Sequence, residues 1–214
     1  ISLGGAHDYN AEIKNSIILG SNPTTSSYGL KFGSLANAGS QVLVYNNIIY
    51  DWGRTVDDNN CVYEEGLNWN VQLYNNTINN CSRGVTSAGT LVAMNNAVFD
   101  NTDDFYVSGG YTLSFNASDD VDGANAVDIS PGTDEERKWN VAFTDYENDD
   151  FTIKWMFSPL YDTGAIVSAV TTDILNHSRP TYEAYDIGAF EFTYARPNYR
   201  IEGTINIEGE IRME

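Results

Sequence analysis

The sequence predicts an all-β chain wound as a parallel β-helix, followed by a closing segment and an extended strand tail. Three observations predict it: a recurring strand, Asn-Asn, strand unit, the near absence of helix signals, and a terminal stretch that alternates with period two. The patterns change at boundaries that give coils over 1–125, a closing segment over 126–192 and an alternating tail over 193–214.

The repeat begins at Glu12-Ile13-Lys14-Asn15-Ser16-Ile17-Ile18. It returns at Val44-Tyr45-Asn46-Asn47-Ile48-Ile49-Tyr50, Leu73-Tyr74-Asn75-Asn76-Thr77-Ile78 and Ala93-Met94-Asn95-Asn96-Ala97-Val98-Phe99, with a decayed copy at Ser114-Phe115-Asn116-Ala117. The first Asn recurs at spacings of 31, 29 and 20 residues, the unit of a solenoid with variable turn insertions. Apolar residues alternate on either side of each pair, as short strands require. Asn suits the corner because it tolerates left-handed backbone geometry, and stacked Asn amides can form a ladder. Gly29-Leu30, Gly66-Leu67 and Gly84-Val85 are each expected to open a strand. Four to six coils are expected before residue 125.

From Ser118 the chain turns polar and irregular, with Asp119-Asp120-Val121-Asp122-Gly123 and Thr133-Asp134-Glu135-Glu136-Arg137 read as a long loop. Four pieces follow in order: Phe143-Thr144-Asp145-Tyr146-Glu147-Asn148-Asp149-Asp150-Phe151, Ser158-Pro159-Leu160-Tyr161-Asp162-Thr163-Gly164, Asp173 through Arg179-Pro180, and Asp186-Ile187-Gly188-Ala189-Phe190-Glu191. Together, over roughly 140–192, they resemble the C-terminal end of secreted right-handed parallel β-helix repeat proteins. The resemblance implies a right-handed, single-stranded β-helix whose last segment covers the open end of the stack. It implies no reaction, because one fold hosts many functions. Asp162, Asp173, Arg179, Asp186 and Glu191 are read as structural, the carboxylates fixing turns and Arg179 joining an ion pair.

The tail places Tyr199, Ile201, Ile205, Ile207, Ile211 and Met213 on one side and charged or polar residues on the other. Sixteen residues of strand span roughly 50 Å at about 3.3 Å each, longer than one edge of a coil. An edge strand of that length invites pairing with another chain. Self-association as a trimer, by analogy with β-helical viral spikes, or docking to a larger assembly is the expectation. The alternative is a hairpin folded back on the chain's own coils.

Charge narrows the partners. Eleven Lys and Arg against 30 Asp and Glu leave a net charge of -19, which repels nucleic acid and anionic membranes. No apolar run is long enough to insert in a bilayer. The chain starts at Ile1 without Met or a signal sequence, which is read as a processing boundary. Cys61 and Cys81 lie 20 residues apart, close to one coil; burial preference predicts free thiols, with a disulfide as the alternative.

The coils carry the candidate chemistry. Asp51, Asp57, Asp58, Glu64 and Glu65 are the best catalytic candidates, because stacking could bring them onto one face as the acid and base of a glycoside hydrolase or the groove of a polysaccharide lyase. Trp52, Tyr63 and Trp69 could stack on sugar rings. Asp120, Asp122 and Asp128 give the Asp119–Asp128 run the oxygen-rich composition of a Ca²⁺ loop without its full spacing; otherwise no cofactor is implied. His7 and His177 fall outside the coils, and Arg54 and Arg83 look isolated. The leading expectation is a non-enzymatic structural or adhesive module of an extracellular, cell or virion surface, of spike, fibre or decoration type, with polysaccharide as its ligand. The alternative is a polysaccharide-degrading enzyme.

Overall fold

The computed structural model describes residues 1–23, 25–34, 36–129 and 135–193, those at 135–138 by their backbone alone. The chain is all-β apart from short helical pieces. The first coil holds β1 (Ser2–Leu3), β2 (Asn10–Lys14) and β3 (Ile17–Leu19); the second holds β4 (Tyr28–Phe32), β5 (Ser40–Tyr45) and β6 (Ile48–Gly53). The third has β7 (Asn60–Glu64), β8 (Trp69–Tyr74) and β9 (Thr77–Cys81). The fourth has β10 (Arg83–Ser87), β11 (Thr90–Met94) and β12 (Ala97–Phe99). The fifth has β13 (Asp103–Val107), β14 (Gly110–Ser114) and β15 (Ala117–Ser118), and β16 (Val127–Asp128) follows. Each strand pairs in parallel with its counterpart one coil on, giving sheet A (β1-β4-β7-β10-β13), sheet B (β2-β5-β8-β11-β14) and sheet C (β3-β6-β9-β12-β15-β16).

The Asn pairs make the corner between sheets B and C. Asn15, Asn46, Asn75 and Asn95 take φ of 51°, 53°, 52° and 58°, and Phe115 takes 54° at the decayed copy. That left-handed conformation is one Asn adopts far more readily than an aromatic residue. The second member of each pair turns inward and stacks. The amide of Asn47 donates to Asn76 Oδ1 at 3.0 Å, that of Asn76 to Asn96 Oδ1 at 2.9 Å and that of Asn96 to Asn116 Oδ1 at 2.9 Å. Each Oδ1 also accepts the backbone N–H of the preceding ladder residue at 3.0 Å. A buried backbone donor at a tight corner is thereby satisfied in three successive coils.

Register columns fill the interior. Leu30, Val62, Val85 and Phe105 stack from sheet A, Val44, Leu73, Ala93 and Leu113 from sheet B, and Ile49, Ile78 and Val98 from sheet C. Each such aliphatic side chain contributes about 1.5–3 kcal/mol by leaving water.

The C-terminal segment lies along the flank of the stack, not over its end as the resemblance implied. The outer face of sheet C carries Ile48, Tyr50, Ala97, Phe99 and Ala117, an apolar wall that Phe143, Phe151, Leu160, Ile187 and Ala189 cover. On sheet B, Tyr45 packs with Val167, Val170 and Tyr185. The outer Asn amides fasten the segment: Asn46 donates to Thr172 O at 2.6 Å, Asn75 to Asp186 O at 3.0 Å and Asn95 to Ala165 O at 2.7 Å. The physical reason is legible in β6 and β12, which are apolar on both faces and so need a partner on each.

Three further expectations are corrected. The segment read as irregular loop contains a helix, α1 (Glu135–Ala142), whose Trp139 and Ala142 pack into the same apolar wall. Glu, Arg, Lys and Ala are good helix formers, and the covering of sheet C stabilises this short run. Gly66-Leu67 lies in a turn, with Leu67 exposed, and opens no strand; Cys61-Val62 takes that place in the register. The two cysteines form a disulfide, Cys61 in sheet A reaching Cys81 in sheet C with Cα atoms 5.9 Å apart. Variable turns fold the 20-residue interval back on itself within the coil, so burial and pairing occur together.

The family-like motifs form one buried polar network. Arg179 donates to Glu191 Oε1 at 2.7 Å and to the carbonyls of Asp186 and Gly188. Asp186 accepts the N–H groups of Asp162 and Phe192; Asp173 accepts those of Leu175, His177 and Glu191. His177 Nδ1 sits 3.0 Å from Asp173 Oδ2, so that ring is tied to the network. Burial, then the neighbouring Glu191 charge, pushes the Asp186 carboxyl up to about 7.

Candidate functional site

Sheet A presents the most distinctive surface. One residue beyond the core column Leu30, Val62, Val85 and Phe105, the register aligns Lys31, Tyr63, Thr86 and Tyr106. Successive side chains in a strand point to opposite faces, so this column faces away from the core. Tyr28 stacks on Tyr63 with ring centroids 4.7 Å apart and planes 17° off parallel. Lys31 Nζ lies 4.9 Å and 5.4 Å from these two centroids, and the Arg83 guanidinium carbon lies 4.1 Å from that of Tyr106. Strands lie about 4.8 Å apart, so Tyr63 and Tyr106, two strands apart, are separated by about 9.6 Å. Burial, then the Glu65 charge, raises the Tyr63 phenol, which stays a neutral hydrogen-bonding group at physiological pH.

The acidic candidates distribute around this face and do not converge. β7 separates Asp57 and Asp58 at its start from Glu64 and Glu65 at its end, and a five-residue strand spans about 13 Å between its end residues. Glu65 pairs with Lys31 at 3.4 Å, and Asp58 approaches Arg83 at 4.0 Å. Asp57 is exposed. Glu64 is buried, accepting from Gly66 N at 3.0 Å, Ser87 Oγ at 2.9 Å and Gly89 N. Its burial raises the carboxyl while those donors oppose the shift. Asp51 takes φ 63° within β6, where the register with β9 shifts between Tyr50 and Gly53, and accepts from Asn80 Nδ2 at 2.7 Å, the posture of a bulge residue.

The aromatic candidates separate equally clearly. Trp69 is 1% exposed, stacks on Tyr9 and donates its indole N–H to Gly33 O at 2.8 Å, so its ring offers nothing to a ligand. Trp52 packs against the core with its indole nitrogen shut from solvent. Tyr63 alone of the three belongs to the open face. Tyr28, Lys31, Arg83 and Tyr106 escaped the sequence reading because coils of unequal length hide their register.

A second cluster lies at the last coil. Among the described residues, Asp104, Asp119 and Asp120 each bring a carboxylate oxygen within 4.8 Å of the others. Of the expected Ca²⁺ residues only Asp120 belongs to this group. Asp122 accepts from Ser118 Oγ at 3.4 Å, and Asp128 sits opposite Ser118 in the pairing of β15 with β16. The tail residues Tyr199, Ile201, Ile205, Ile207, Ile211 and Met213 lie outside the described residues. No helix among the described residues is long and apolar enough to cross a membrane. Comparison of the chain with protein-family models, curated proteins and solved structures finds no match.

Proposed function

We propose that the chain is a right-handed parallel β-helix module of an extracellular, cell or virion surface, without catalytic activity, that holds polysaccharide along the outer face of sheet A. The observation that carries this reading is the Tyr28, Tyr63 and Tyr106 row, flanked by Lys31 and Arg83, on a sheet that the described part of the C-terminal segment leaves open while it covers the walls of sheets B and C. Aromatic faces with nearby hydrogen-bonding and charged groups suit sugar rings, which offer apolar C–H faces and hydroxyl rims. The pairing of Glu65 and Asp58 with cations, and the burial of Glu64, argue against a free acid and base in this face. The disulfide supports an oxidising compartment. Self-association, as a trimer, or docking to a larger assembly is assigned to residues 199–213.

Binding to a panel of neutral and acidic polysaccharides, followed by calorimetry and by reducing-end release, tests the reading. The wild type is expected to bind without releasing ends. A Tyr63→Ala/Tyr106→Ala double variant is expected to bind about thirtyfold more weakly, taking on the order of 1 kcal/mol per ring. Equal affinity of the two proteins overturns the site. Ends released by the wild type but not by Asp58→Asn or Glu65→Gln establish the enzyme instead. For assembly, light scattering on the chain with and without residues 197–214 is expected to show a trimer falling to monomer; a monomer of 23.7 kDa with those residues present refutes it.

A further inference from the structure

We propose that a half-open cavity of about 170 Å³ in the C-terminal segment binds a neutral phenolic ring, whose hydroxyl donates to His177 Nε2. Its apolar walls are Ile153, at the end of the strand Asp150–Ile153, together with Leu175, Phe190 and Phe192. Ile153 is buried, Phe190 and Phe192 pack against the apolar wall of the flank, and Phe192 meets Tyr161 edge-on at 5.6 Å. The walls are therefore set before a ligand arrives. An apolar cavity of about 150 Å³ admits one benzene ring, so this one takes a single six-membered ring.

The polar feature of this cavity is an oriented imidazole. Asp173 is wholly buried and accepts the backbone N–H groups of Leu175, His177 and Glu191 at 2.9, 2.7 and 3.0 Å. A carboxylate fixed in this way accepts once more, from His177 Nδ1 at 3.0 Å. That bond assigns the ring proton to Nδ1 and leaves Nε2 with a lone pair. Among the described residues Nε2 meets no partner, and the His177 side chain is 40% exposed at the cavity. Its neighbours Glu191 and Thr152 are already engaged. The Glu191 carboxylate accepts from Arg179, Asp186 N and Thr181 N, and Thr152 Oγ1 bonds to Asp150 Oδ1 and Thr144 Oγ1. The cavity thus sets a directed acceptor against apolar walls.

This combination selects the ligand. An acceptor calls for a donor, and a phenol supplies one O–H on an otherwise apolar ring. A sugar ring of the same size carries several hydroxyls, which apolar walls would strip of water without replacing their bonds. A ring bearing a carboxylate would be repelled by Asp173 and Glu191, whose charge Arg179 offsets only in part. The site is separate from the face of sheet A and does not depend on the polysaccharide reading.

Titration of the full chain with phenol, benzene and glucose tests it, followed by calorimetry and by the ¹⁵N resonances of His177. The pH is held between the ordinary imidazole and phenol pKa values. Phenol is expected to bind at one site with Kd on the order of 1 mM, ordinary for so small a ligand, and to shift the Nε2 resonance. Benzene, which lacks the hydroxyl, should bind about tenfold more weakly, and glucose should give no saturable heat. His177→Phe should bring phenol to the level of benzene while leaving benzene binding unchanged, a split that a purely structural role would not produce. If His177→Phe fails to fold, Leu175→Trp, at an exposed position, should obstruct the cavity and abolish binding of both rings. Equal affinity for phenol and benzene, or a phenol affinity untouched by His177→Phe, overturns the role of His177. Wild type without saturable phenol binding at about tenfold the expected Kd, or undiminished binding by Leu175→Trp, overturns the site.

Discussion

Truncating Asn76 to Ala tests the inner amide ladder directly. Asn76 Oδ1 accepts both the backbone N–H and the side-chain amide of Asn47 at 3.0 Å, and its own amide donates to Val44 O, Tyr74 O and Asn96 Oδ1. The Ala variant therefore loses five hydrogen bonds and leaves the buried Asn47 N–H without its partner. An orphaned buried donor costs about 1–3 kcal/mol, and each remaining bond contributes about 0.5–1.5 kcal/mol before relaxation and non-additivity. Allowing for both, about 3–6 kcal/mol is expected, a fall in Tm of about 6–24 °C for a chain of this size. Asn76→Asp should be worse than Ala, because it turns a carboxylate oxygen toward three acceptors in a buried site. Asn37→Ala is the control: Asn37 is exposed, bonds to Asp8 at 2.8 Å, and should change stability by less than about 0.5 kcal/mol. Thermal and urea unfolding by circular dichroism measure all four proteins. A loss below about 1 kcal/mol in Asn76→Ala, or an Asp variant as stable as wild type, would refute the ladder argument.

Arg179→Met should cost about 3–5 kcal/mol, since Glu191 is left charged and buried; adding Glu191→Gln, which removes that charge and keeps an acceptor oxygen for one of Asp186 N and Thr181 N, should restore part of the loss in urea unfolding. Asp186 is raised from 3.8 to about 7 in the fold by burial and Glu191, against the pull of two backbone N–H groups and Arg179. The native state thus binds more protons, so its contribution is full below about pH 4 and is lost as pH rises through about 7; Tm should fall across that window more steeply in wild type than in Asp186→Asn, and equal slopes would refute it. Cys81→Ala should lose about 3 kcal/mol for a loop of this size. Unfolded, unreduced wild type should show no thiol, and detection of two would overturn the disulfide.

The corner was legible because its chemistry admits few residues. Left-handed backbone and a stacked amide in successive coils leave Asn-Asn as a visible signature, and even Phe115-Asn116 betrays the decayed copy. The polar network was legible for a similar reason: Asp173, Arg179, Asp186 and Glu191 are types that enter a core only when tied to partners. The flank packing was half legible, since Ile48-Ile49-Tyr50 and Ala97-Val98-Phe99 announce strands buried on both faces without saying what covers them. The Tyr63–Tyr106 row was hidden. Its members are 43 residues apart across coils of different length, and only the hydrogen-bond register makes them neighbours.

The outer Asn residues give the C-terminal segment the character of a ruler. Ala165 is held at the fourth coil, Thr172 at the second and Asp186 at the third, each by a different rung of one column. A repetitive wall can gain or lose a 20-residue turn without internal penalty, because every rung satisfies the next. Here such a change among these coils would put at least one mark out of phase by about 4.8 Å, too far for an amide to reach its carbonyl. The segment thereby counts these three coils, and a stretch built from interchangeable turns acquires a fixed spacing.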